Sequence, residues 1–213
     1  MPYALRRLAL LVATLAPACG GGNGTSVENS AAPAPEPASG APPWPAPADP
    51  IARTKAAGLK PEPKEFFAVH SHAHLDVFVN GAPVEVPAGI GIDITDPGVQ
   101  HFEDPVGYGG IELCDNPCIS PLHTHDATGV LHTEAPANET NSLGEFFVEW
   151  DVRLDEACVG GFCEPEAPIA VFVDGEPYDG DPADVALADQ TEIAIVIGSF
   201  PSVVPSSYDF SNA

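Results

Sequence analysis

The chain has 213 residues, 44% of them hydrophobic, and 31 acidic side chains against seven Lys and Arg, for a formal charge of −24. That length accommodates one domain of ordinary size plus a tail, and no apolar run is long enough to cross a bilayer. So acidic a surface repels nucleic acid and anionic lipid headgroups, which excludes a nucleic-acid binder, and it attracts cations.

In chain order, Arg6 and Arg7, the apolar run Leu8 to Leu15, and Ala16-Pro17-Ala18 before Cys19 read as a signal peptide over residues 1–18. Small residues ahead of a cysteine, followed by Gly20-Gly21-Gly22, resemble a bacterial lipoprotein processing site, with Ala16 standing where Leu is usual. The resemblance implies an exported protein with lipid on Cys19, held to the cell envelope (outer membrane or periplasm) through that lipid only. Without its leader the chain carries five cationic side chains against 31 acidic ones, a charge of −26. Residues 19–64 are rich in Pro, Ala and Gly and lack periodicity, so they read as a semi-rigid tether in which Trp44 has no evident place.

The folded domain is expected over residues 65–213, enough for one core. Phe66 to Val79 has a strand pattern, Asn80-Gly81 is a type I′ hairpin signal, and Ala82 to Val86 is the return strand. On the first of these strands His70, His72, His74 and Asp76 share one face; Ala73, Leu75, Val77 and Val79 share the other, which is the core face. Asp93 to Gly110 reads as a loop carrying His101 and Tyr108. With Cys19 set aside, Cys114, Cys118, Cys158 and Cys163 are an even set in an exported chain and imply disulfides. The local pairs 114–118 and 158–163 are the simplest of three connectivities, among which the sequence does not choose.

Leu122 to His132 reads as a β-hairpin closed by Asp126-Ala127-Thr128-Gly129, where Asp accepts from amides ahead of it and Gly allows positive φ. With that loop, His125 faces Val130, Thr124 faces Leu131 and His123 faces His132, so His123, His125 and His132 share one face. Ser142 to Glu145 forms a capping box, and Leu143, Phe146, Phe147, Trp150 and Leu154 have helical spacing, predicting a helix over 143–155. Ile169–Val173, Asp174-Gly175 and Glu176–Tyr178 form another hairpin, a weak echo of the one at Asn80-Gly81, and Glu192 to Ile197 is a final strand. The order resembles a β-grasp: a β-rich α+β single domain, its sheet served by one amphipathic helix and an added N-terminal hairpin.

Three convergent imidazoles on a hairpin are a metal-site geometry. His123, His125 and His132 are the candidate ligands, with His72 and His74 completing the set if the two strands lie close; His70 and His101 are the least supported. The donors suit copper or zinc. Asp126 is better explained as a turn residue than as a base, and Glu134 and Asp76 are unassigned. There is no G-x-S-x-G elbow and no phosphate-cradling Gly-Lys loop. Cys114-x3-Cys118 followed by His123 resembles the copper sites of Sco-type chaperones and binuclear cupredoxins. The gap to His123 is one residue longer than in the cupredoxin pattern, however, and the only methionine is Met1.

His74-Leu75-Asp76-Val77-Phe78-Val79-Asn80-Gly81 and Leu122-His123-Thr124-His125-Asp126-Ala127-Thr128-Gly129-Val130-Leu131-His132 resemble the signature strand and hairpin of a family of exported bacterial and archaeal proteins, over most of residues 68–197. The resemblance implies an intact domain and names no reaction. The expectation is therefore an exported, lipid-anchored protein binding copper or zinc through its histidines. The alternatives are a metal-dependent enzyme with an open coordination position at the same residues, and a cell-surface interaction module without metal. A protein partner is left open.

Overall fold

The computed structural model describes residues 39–137 and 140–213; the signal peptide, Cys19 and the first part of the tether lie outside the described residues. Its elements are α1 (Pro50–Ala56), β1 (Val69–Val79), β2 (Ala82–Val84), β3 (Gln100–Glu103), β4 (Val106–Gly109), β5 (Leu122–His123), β6 (Val130–Ala135), α2 (Leu143–Trp150), β7 (Leu154–Asp155), β8 (Cys158–Val159), β9 (Phe162–Cys163), β10 (Ile169–Val173), β11 (Glu176–Tyr178) and β12 (Thr191–Ile197). The β-rich α+β class read from the sequence is the one observed.

A mixed sheet in the order β11-β10-β12-β1-β6-β5, with β2 also paired to β1, organises the domain. The hairpin β1–β2 is central rather than peripheral: β1 runs parallel to β12 on one side and antiparallel to β6 on the other. Asn80 and Gly81 adopt positive φ of 50° and 79°, as the type I′ turn requires, and Asp174-Gly175 repeats the arrangement at 52° and 80°.

Alternation along the strands divides the sheet into two unlike faces. Ala73, Leu75 and Val77 of β1, Leu131 of β6 and Ile193, Ile195 and Ile197 of β12 enter the main core. There they meet Leu143, Phe146, Phe147 and Trp150 of α2. Burying aromatic or leucine side chains of this kind contributes about 1.5–3 kcal/mol each. The opposite face carries the histidines.

The capping box at Ser142 and Glu145 forms as expected. The helix stops at Trp150, short of the predicted end at 155, because Asp151 takes the left-handed conformation at φ 62°. Leu154 therefore belongs to β7. The expected loop at 93–110 contains the β3–β4 hairpin.

The folded body also begins well before residue 65. Trp44 is buried against Trp150, their ring centroids 5.7 Å apart, and its carbonyl accepts from the Trp150 indole N–H at 3.1 Å. Arg53 of α1 pairs with Asp151 at 2.6 Å, and Glu62 bridges to Ile119. Residues 44–64, placed in the tether by their composition, are thus part of the packed domain.

Both local disulfides, Cys114–Cys118 and Cys158–Cys163, are present. The first closes a satellite core of Ile92, Val99, Ile111 and Ile119 that supports the approach to β5; the second joins β8 to β9. No helix among the described residues is long and apolar enough to cross a membrane, and the disulfides are compatible with an oxidising compartment.

Candidate metal centre

The turn at 126–129 sets the register of the site. Asp126 Oδ1 accepts from the Thr128 N–H at 2.9 Å, and Gly129 adopts φ +88° with its carbonyl accepting from Leu75 N–H at 3.0 Å. A Cβ at Gly129 would lie 2.7 Å from the Leu75 carbonyl oxygen, so the approach of β6 to β1 needs glycine there. His123 pairs with His132 across β5–β6, and His72 pairs with the same His132 across β1–β6.

Beyond His123 the ladder ends, and the expected pairs Thr124–Leu131 and His125–Val130 do not form. Thr124 is drawn to the preceding segment instead: its N–H donates to the Ile90 carbonyl at 3.1 Å, and its hydroxyl donates to the Pro87 carbonyl at 2.8 Å. The His125 carbonyl accepts from Tyr108 N–H of β4 at 2.8 Å. Two more hydrogen bonds aim the rings. His123 Nδ1–H donates to the Ser120 carbonyl at 2.9 Å, and His125 Nδ1–H donates to the Tyr108 carbonyl at 2.6 Å. A carbonyl can only accept, so each bond fixes the tautomer and leaves Nε2 as the lone-pair nitrogen. Those two Nε2 atoms face each other at 3.2 Å. A shared cation relieves that opposition, either a proton or a metal ion.

His132 and Glu134, two apart on β6, complete the group; the four residues bring one ligand-type atom each within 4.8 Å of one another. Glu134 Oε1 lies 3.7 Å from both His125 Nε2 and His132 Nδ1. His132 Nδ1 and Glu134 Oε2 are buried and lack a hydrogen-bond partner among the described residues. Unpartnered buried polar atoms are costly, and a cation held between these groups would satisfy both.

The electrostatics keep His123, His132 and Glu134 in ligand form. Burial, then the His125 charge, pushes His123 down to about 3, and burial followed by the surrounding imidazoles lowers His132 as well. Both rings are therefore neutral at neutral pH. Burial opposes ionisation of Glu134, but His125, His123 and His70 outweigh it and hold the carboxyl below its ordinary value. For His125, burial is outweighed by Glu134 and the Tyr108 carbonyl, and its pKa rises.

Of the other expected ligands, His72 lies beside this group and His74 does not join it. His72 Nε2 is 3.0 Å from His70 Nε2, and its ring meets His132 edge-on at 4.6 Å. His74 shares the strand face, but its Nδ1 bonds Glu192 at 2.9 Å, its Nε2 bonds the Thr128 carbonyl at 2.9 Å, and Tyr208 stacks on it at 3.8 Å. Residue 74 pairs with Val130, one step of the face beyond His132, so its ring meets β12 and the turn instead of the cluster. His101 is turned away, bonded to the Ile94 carbonyl at 2.8 Å. The disulfide-bonded Cys114 and Cys118 offer no thiolate, and Asp96 beside them accepts from the Gly98, Asp115 and Asn116 amides.

The sequence leaves Glu134 unassigned, although it follows His132 by two on one strand and so must share its face. Glu149 lies within the apolar stripe of α2, where nothing marks it. It is wholly buried, accepts from Ser120 Oγ at 2.5 Å, and is pushed up to about 8 by burial, so it stays protonated at neutral pH behind the loop that carries His123.

A cavity of about 480 Å³ opens beside the cluster. His70, His125, His132 and Glu134 form its polar wall, and Phe67, Phe102 and Tyr108 form its apolar rim. Comparison with protein-family models, with curated proteins and with solved structures found no match.

Proposed function

We propose that this is an exported, lipid-anchored protein that binds copper or zinc at His123, His125, His132 and Glu134. The observation that carries the reading is the facing pair of Nε2 atoms 3.2 Å apart, each with its tautomer set by a carbonyl on the far side of the ring. Metal–nitrogen bonds of about 2.0–2.1 Å place two ligands of one ion roughly 2.9–3.4 Å apart for tetragonal to tetrahedral angles, and the pair falls within that interval. Three imidazoles and a carboxylate suit Zn²⁺ or Cu²⁺ in preference to Mg²⁺ or Ca²⁺, which favour all-oxygen sites. The exported, anchored context is supported by the leader ending at Cys19 and is compatible with the two disulfides.

The cavity favours a second reading, that of a metal-dependent enzyme. A bound ion at these residues would border a space open to a small molecule, with Glu134 as a carboxylate on its wall. Elemental analysis of the protein, exported to an oxidising compartment and purified without chelator or histidine tag, tests the metal reading. Bound copper or zinc, at least one equivalent of which is lost in His123→Ala/His125→Ala, is the expected result. No metal after reconstitution with either ion would overturn it and leave an interaction surface in its place. Perturbation of the copper spectrum by added azide, with the metal retained, distinguishes an open coordination position from a closed one.

A further inference from the structure

Five of the seven histidines gather at one end of the histidine-bearing face of the sheet, more than a single ion needs. His70 is among the least supported of the set from the sequence, yet its arrangement with His72 repeats that of His123 and His125. Their Nε2 atoms lie 3.0 Å apart, again the separation of two imidazoles on one ion. With His132 they form a second group whose ligand-type atoms all lie within 4.8 Å of one another. His132 belongs to both groups, and its ring stands between them: parallel to His123 at 5.5 Å and edge-on to His72 at 4.6 Å. The Glu134 carboxylate also faces both sides, with Oε1 3.4 Å from His70 Nε2 and 3.7 Å from His125 Nε2. The pairing of residues 70 with 134 and 72 with 132 makes this juxtaposition a property of the β1–β6 register and not of a loop.

We propose that the histidine face holds two transition-metal ions side by side, the second bound by His70 and His72, with His132 and the Glu134 carboxylate between the two. The inference rests on the proposed reading of the first site. The second ion would lie toward the cavity, since His70 is on its wall and retains 40% of its side-chain exposure. A cavity bordered by two ions suits a ligand with a donor atom that can reach both.

The test is metal stoichiometry with copper(II) and, separately, zinc(II) on the full exported protein, its His70→Ala/His72→Ala variant and its His123→Ala/His125→Ala variant, with circular dichroism confirming the fold of each. Two equivalents in the wild type, and one in each double variant, are expected. The electron paramagnetic resonance of the copper-loaded wild type should be broadened by coupling between neighbouring ions and return to an isolated signal in the His70→Ala/His72→Ala variant. One equivalent in the wild type, whether or not the His70/His72 substitutions remove it, overturns the second site. So does a second equivalent that survives those substitutions or shows no coupling. No bound metal at all would instead overturn the reading of the first site.

Discussion

Two histidine-containing groups sit on the same face of the same sheet, a few residues apart on β1, and their ring nitrogens are treated differently, although Glu192 Oε1 beside His74 is as unpartnered among the described residues as Glu134 Oε2. At one end His74 has a partner on each ring nitrogen and a tyrosine stacked over it. At the other, His132 Nδ1 and Glu134 Oε2 are buried without hydrogen-bond partners among the described residues, and two pairs of imidazole nitrogens face each other. Strand periodicity assigns side chains to a face; what surrounds them there separates a satisfied structural histidine from one arranged to take a ligand.

Metal affinity gives the sharpest contrast. His132→Ala or Glu134→Gln should weaken copper or zinc binding by more than the 10–100-fold that loss of groups behind the ligands typically costs, whereas His74→Ala should leave it within about threefold. Competition titration against a chelator of known affinity measures both; equal losses would erase the distinction between the clusters.

Stability of the metal-free protein should reverse the order. His74→Ala leaves Glu192, which is 1% exposed, without its buried partner, and should cost about 3–5 kcal/mol in urea unfolding. His132→Ala removes a buried nitrogen that has no partner among the described residues, so its cost should be about 1 kcal/mol or less.

The clusters should also answer pH with opposite signs. His123 is held down to about 3 by burial first, so the unfolded chain takes up its proton below about 6.5 while the folded chain does not. Its contribution is therefore present above about pH 6.5 and falls toward pH 3, at about 1.4 kcal/mol per pH unit. His74 is raised: burial works against its charge, but the hydrogen bond and charge of Glu192 outweigh it. Its contribution is complete below the unfolded value and is lost as pH rises through the raised folded one. Unfolding curves of His123→Ala and His74→Ala across pH 3–9 separate the two slopes. The smallest effect is reserved for His101→Ala, on the exposed β3–β4 hairpin, which should change stability by less than about 0.5 kcal/mol and metal binding not at all.

The sequence by itself determined the β-rich class, the two I′ hairpins, the α2 capping box and the facing of His123 and His132, because each depends on local turn chemistry and on a period of two. Tertiary structure decided the rest. Composition placed Trp44 in a tether, but its burial depends on Trp150, more than a hundred residues away, and no local pattern reports such a contact. The central position of β1 is a matter of long-range pairing, and with it came the choice among the β1 histidines. His70 and His72 meet Glu134 and His132 because those are their cross-strand partners, while His74, identical in pattern, meets Val130, Glu192 and Tyr208 instead. Periodicity assigns a face; only register and the elements packed over it decide which side chains on that face share a site.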